Sequence, residues 1–218
     1  MKETLLKLYS DRHTDFKQIR DKFPNDDLHG PFLMSPNDTY GQEKNRLLII
    51  GQETYGWSKD VDNLEKQMEV YENFNVGTDY YSSPFWNVVR KVERAIENKP
   101  YSCAWTNISK YDLGGGRVYG EHETEVSRVD NLLTSEIAII QPTICLFFTG
   151  PDFDNRIYNI FGDIEFQKVD NWETRQLSQL KSKDLPRLSF RTYHPNYLRR
   201  SGLEEDFINF ITKATVNN

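Results

Sequence analysis

Five short apolar runs, separated by stretches in which apolar residues recur every three or four positions, organise this chain. The runs cover 46–51, 102–108, 143–149, 164–169 and 187–193, and each is bounded by Gly, Pro, Asn or Asp, the pattern of strands that end in turns. The unbroken Leu47-Leu48-Ile49-Ile50 suits a strand covered on both faces. Between the runs the spacing predicts helices. Leu5, Leu6, Leu8, Tyr9, Phe16 and Ile19 mark one or two opening helices that Pro24 ends. A charged helix is expected over 60–73, and one over 85–98 that Pro84 starts and that turns Trp86, Val89, Val92, Ala95 and Ile96 to one side. Further helices are expected over 123–140, 155–161 and 203–214. The segment 24–45, rich in Pro, Gly, Asn and Asp, reads as a long surface connection, and the segment up to Lys183 as a polar one. Gly114-Gly115-Gly116 lacks the Lys-Ser/Thr of a phosphate loop and reads as a flexible loop.

Strands alternating with helices predict an α/β fold, a three-layer α/β/α sandwich around a mostly parallel sheet of about four strands. Ligands of such sheets sit beyond the carboxyl ends of the strands. That rule gathers Glu53, Asn107, Gly150 and His194 onto one edge.

Composition narrows this picture. A chain of 218 residues, 37% hydrophobic and 13% aromatic, can bury a core of its own, so one domain over 1–218 is expected, with 1–45 a helical extension packed on it. The net charge of −6 repels phosphate backbones at long range, so a nucleic-acid partner has to be held locally. Arg191, Arg199 and Arg200 form the basic cluster beside a candidate site. Cys103 and Cys145 lie in apolar runs and are expected as reduced core thiols. No zinc-like His/Cys spacing is present, so neither metal nor cofactor is expected. The first residues lack a basic segment followed by an apolar core, and nowhere do about 18 apolar residues run together. A cytoplasmic monomer without a membrane partner is the expectation.

Candidate chemistry concentrates at two junctions. In Gly51-Gln52-Glu53-Thr54-Tyr55 a strand runs into a turn that carries an acid; in His194-Pro195-Asn196-Tyr197-Leu198 another strand ends at a histidine. The first resembles the Gly-Gln-Asp-Pro-Tyr motif of the uracil-DNA glycosylase superfamily, and the second its His-Pro-Ser-Pro-Leu motif. Trp105-Thr106-Asn107 looks like the family's strand ending in asparagine, and Ser83-Pro84-Phe85-Trp86-Asn87-Val88 resembles its Pro-Ser-Leu-x-Asn-Ile helix start. The order of elements carries the likeness from about Arg46 onward, while literal identity is confined to these motifs.

The resemblance implies a DNA glycosylase-like hydrolase that flips a uracil or a related damaged base out of DNA and cleaves its N-glycosidic bond. Glu53 would orient water and stabilise the sugar cation, and His194 would stabilise the departing base anion. Asn107 would read the pairing edge, Gln52 would help bind the base, and Tyr55 would wall off the C5 position. Phe74, Tyr80 and Tyr81 are candidates for stacking. Tyr197 and a Leu198 wedge would enter the DNA, and Arg199 and Arg200 would hold phosphates. The departures matter equally. Glutamate for aspartate adds a methylene, a change that can misplace water by roughly 1 Å and cost about 100-fold. Thr54 replaces a stiffening proline, and Asn196-Tyr197 replace Ser-Pro. Two alternatives follow: a binding module for nucleobase, nucleotide or nucleic acid that has lost catalysis, and a glycosidase for small nucleoside-like substrates.

Overall fold

The computed structural model describes residues 1–78 and 83–216. Two short helices open the chain, α1 (Lys2–Asp11) and α2 (His13–Lys22). Their buried Leu5, Tyr9, Phe16 and Ile19 follow the helical spacing, and each such burial stabilises by about 1.5–3 kcal/mol. The next segment differs from its expectation. It carries β1 (Leu28–His29) and α3 (Asp38–Gln42), and Leu28, Phe32, Leu33 and Met34 are completely buried. Its Pro and Gly shape a path through the interior. Gly30, at φ +127°, passes so close to Lys110 and Tyr111 that a Cβ would lie 2.5 Å from the Lys110 carbonyl oxygen.

The main sheet begins with β2 (Leu47–Gly51), all five residues of which are buried. Helices α4 (Leu64–Phe74) and α5 (Pro84–Ala95) follow. Asn63 caps the first by accepting from the Lys66 N–H at 2.9 Å, and Ser83 caps the second through the Trp86 N–H at 3.2 Å, with Pro84 in the first turn as expected. Strand β3 (Ala104–Asn107) pairs with β2, and β4 (Asp112–Leu113) pairs with β1 in a separate two-stranded ribbon. The single helix expected over 123–140 is two, α6 (Gly120–Val126) and α7 (Leu132–Ile140). Asp130, in the break between them, is held by both Nε and Nη2 of Arg156, at 2.6 and 2.7 Å.

Strand β5 (Ile144–Phe147), helix α8 (Asp154–Phe161) and strands β6 (Glu165–Lys168), β7 (Leu177–Lys181) and β8 (Leu188–Thr192) complete the sheet. Its order is β3-β2-β5-β8-β7-β6. The first four strands are mutually parallel, and β7 and β6 extend the sheet antiparallel to six strands. Strand β7 falls in the stretch expected to be merely polar. Its Leu-Ser-Gln-Leu-Lys sequence buries Leu177 and Leu180, and its intervening polar residues hide the strand from a search for apolar runs. The chain closes with α9 (Pro195–Arg200), absent from the sequence expectation, and α10 (Glu204–Val216). Among the described residues no helix is long and apolar enough to cross a membrane.

Candidate functional site

The parallel register of β2 and β3 sets Gly51 opposite Asn107, so the two strands end side by side. A Cβ on residue 51 would collide with Asn107 Oδ1, and glycine is therefore the residue that lets the asparagine side chain stand at the strand end. The chain leaves β2 through Gln52, whose amide nitrogen donates to the Thr149 carbonyl at 2.7 Å and ties the turn to the end of β5. Glu53 comes next. One of its carboxylate oxygens is buried without a hydrogen-bond partner among the described residues. Burial pushes the Glu53 carboxyl above the usual carboxylate range, Arg117 and Arg156 oppose that rise, and the nearby Asp112 adds to it.

The turn that presents Glu53 is held from beneath by Asp112, which is completely buried. One Asp112 oxygen accepts from the Thr54 hydroxyl at 2.5 Å and from the backbone N–H groups of Gly56 and Trp57 at 3.2 and 3.4 Å. The other accepts from the Gly115 N–H at 2.8 Å and lies 2.8 Å from His29 Nδ1. A charged acceptor shared among backbone donors organises the loop through its hydrogen bonds rather than through a proline ring. Thr54 is thus a fastening point. The glycine triplet expected to be a free loop is part of the same arrangement: Gly115 has φ +78°, and the Tyr55 ring lies within 3.2 Å of where a Cβ on it would stand.

His194 is the N-cap of α9. Its Nδ1 accepts from the Asn196 N–H at 3.2 Å, which leaves the proton of the neutral ring on Nε2. Burial lowers its pKa and favours that neutral form. The ring sits 5.6 Å from Phe85. His194 therefore offers a single N–H donor to whatever occupies the space in front of it.

That space is a cleft of about 520 Å³. Gln52, Glu53, Tyr55, Phe74, Asn107 and His194, all singled out in the sequence, line it together. Phe74 belongs to an aromatic wall in which it lies 6.0 Å from Trp57 and 5.5 Å from both Trp86 and Trp105, ring centre to ring centre. Tyr55 stands at the rim and is 90% exposed, so its ring borders the mouth instead of closing the interior. Tyr80 and Tyr81 lie outside the described residues.

The expected DNA-contacting group is dispersed. Leu198 is completely buried against the core and is not presented as a wedge, because α9 turns it inward while leaving Tyr197 half exposed. Arg191 is only 1% exposed and pairs with Asp154 at 2.8 Å, so it does not belong to a surface basic cluster. Arg199 is exposed and pairs with Glu204 at 3.3 Å; Arg200 is also exposed.

The sequence reading assigns no site role to Trp57, Phe85, Trp86 and Trp105, which line the cleft, or to Asp112, which holds its loop. Trp105 was legible in principle, since residues two apart on a strand share a face and Asn107 was already marked. Asp112 carried no such signal, because its partners in the Glu53 turn are 55 to 58 positions away. No group of three or more His, Cys, Asp or Glu side chains suited to a metal occurs among the described residues. In comparison with known proteins, the chain matches no family model and no curated sequence.

Proposed function

We propose that this protein is a uracil-DNA glycosylase-like N-glycosidase, which hydrolyses the bond between a uracil or related damaged base and its deoxyribose. The observation that carries the reading is the convergence of an ionisable acid with an unpaired oxygen, a neutral histidine donor and an unpaired asparagine amide around one aromatic cleft. Cleavage of an N-glycosidic bond builds positive charge on the sugar and negative charge on the base, and these groups answer both. The oxygen of water bonds to C1′ as the C1′–N bond breaks, and the bonding electrons leave with the base. Glu53 takes the water proton, which returns to the base or to solvent. Burial raises the Glu53 pKa, which makes its carboxylate a stronger general base. His194 Nε2–H stabilises the charge on the base oxygen, and the aromatic wall receives the flipped ring.

A small nucleoside as substrate is the second reading, favoured by the buried Leu198, the Arg199–Glu204 pair and the net charge of −6. Single- and double-stranded oligonucleotides containing uracil test the first reading, with Glu53→Gln and His194→Ala as controls. Abasic product from the wild type alone is the expected result, and its absence at high protein concentration excludes uracil in DNA. Release of base from free nucleosides would identify the second.

A further inference from the structure

We propose that Trp105 is a specificity-determining residue of the cleft, whose indole N–H selects nucleobases bearing an oxo group over those bearing an amino group at the same position. The inference rests on the base-binding half of the proposed function and goes beyond it by giving a role to Trp105, to which the motif resemblance assigns none.

Trp105 and Asn107 stand two apart on β3 and therefore on one face of the sheet. Both are buried, at 8% and 1% exposure, and both line the cleft. Trp105 Nε1 and Asn107 Nδ2 have no hydrogen-bond partner among the described residues. Buried donors are ordinarily paired, so two unpaired ones on one wall point to an acceptor supplied from outside the chain. Gly51 borders the indole nitrogen: a Cβ there would lie in ordinary contact, 3.5 Å from Trp105 Nε1. The indole is also held rigidly. Phe32 and Trp86 meet it edge-on with ring centres 4.7 and 5.3 Å away, and its backbone N–H donates to the Tyr71 hydroxyl at 2.9 Å.

An indole N–H only donates, and the Asn107 amide nitrogen also donates. An exocyclic oxygen, as on uracil or hypoxanthine, accepts from such a pair. An exocyclic amino group, as on cytosine or adenine, turns N–H against N–H and leaves buried donors unpaired on both sides. A third donor of the wall, the indole nitrogen Trp57 Nε1, is likewise unpaired among the described residues and adds to the same preference.

The test is equilibrium binding of free uracil, hypoxanthine, cytosine and adenine to the full chain and to Trp105→Phe, read by the indole N–H resonances of the four tryptophans. The oxo bases are expected to bind more tightly and to shift the Trp105 resonance, which the variant identifies by its loss. Trp105→Phe should reduce the uracil-to-cytosine affinity ratio about tenfold, the effect of losing one well-formed hydrogen bond. A ratio within twofold of the wild type overturns the inference, as does failure of both oxo bases to bind the wild type at millimolar concentration. If the variant does not fold, the wild-type Trp105 resonance decides alone: movement with uracil and not with cytosine supports the inference, and no movement overturns it. Selective binding without base release would sink the glycosidase reading and leave this inference standing. Base release from uracil-containing DNA with unchanged selectivity in the variant would do the reverse.

Discussion

The two faces of β3 treat polar side chains in opposite ways. On one face Thr106 joins a fully buried cluster in which Glu136 accepts from the Lys110 ammonium at 2.6 Å, the Thr106 hydroxyl at 3.0 Å and the Tyr9 hydroxyl at 2.9 Å. On the other face Trp105 and Asn107 leave donors unpaired among the described residues and line the same cleft as Glu53, one of whose oxygens is also unpaired. Burial is comparable in the two regions, whereas hydrogen bonding is complete in one and unfinished in the other. A satisfied network costs little to keep and ties α1, β3 and α7 together. Unsatisfied groups cost stability and are tolerated where a ligand completes them.

This contrast can be broken from either side. The largest expected effect is on chemistry: Glu53→Gln should lower base release by about 10²–10⁴-fold, measured in single-turnover assays, while leaving the fold intact. Next, Glu136→Ala strands the Lys110 charge and should destabilise the chain by about 3–5 kcal/mol in denaturant titration, with catalysis lost only through unfolding. Asp112→Asn weakens the charged acceptor beneath the Thr54–Trp57 turn, and about a 10–100-fold loss of turnover is expected with a smaller change in substrate affinity. An unchanged rate in that variant would show that the turn holds its shape without the charge.

The smallest effect sharpens the comparison most. Because burial raises the Glu53 pKa in the folded chain, the folded state holds its proton to higher pH than the unfolded state does. Stability linked to that proton is fully present below the ordinary carboxylate pKa and is lost as pH rises through the raised value. Glu53→Gln has no such loss. Its melting temperature relative to wild type should therefore climb as pH rises through the raised Glu53 pKa and then level off, a trend that thermal melts across the pH series check. The catalytic pH profile should mirror this, with its acid limb lying above the ordinary carboxylate range because base catalysis needs Glu53 ionised.

Much of this layout was legible beforehand, for reasons specific to particular residues. The run Leu47–Ile50 suits a strand covered on both faces, as β2 is, and a covered parallel strand delivers whatever follows it to the carboxyl edge. That rule gathers Glu53, Asn107, Gly150 and His194 onto one edge; Glu53, Asn107 and His194 line one cleft, whereas Gly150 is not among its lining residues. The wedge expected at Leu198 failed because a short motif does not reveal that α9 begins at His194 and turns that leucine into the core. The basic cluster failed because Arg191 alternates inward on β8 and meets Asp154.

By itself, the sequence determined the alternation of strands and helices, the parallel core of the sheet and the strand ends at which an acid, an amide and an imidazole emerge. These depend on local spacing, which period and turn chemistry encode directly. Only the tertiary structure decided which polar groups are satisfied: that Asp112 fastens the Glu53 turn, that Lys110 is neutralised by Glu136, and that the Trp105 indole N–H and the Asn107 amide nitrogen have no hydrogen-bond partner among the described residues. Hydrogen-bond completion joins residues far apart in sequence, and no local pattern carries that information.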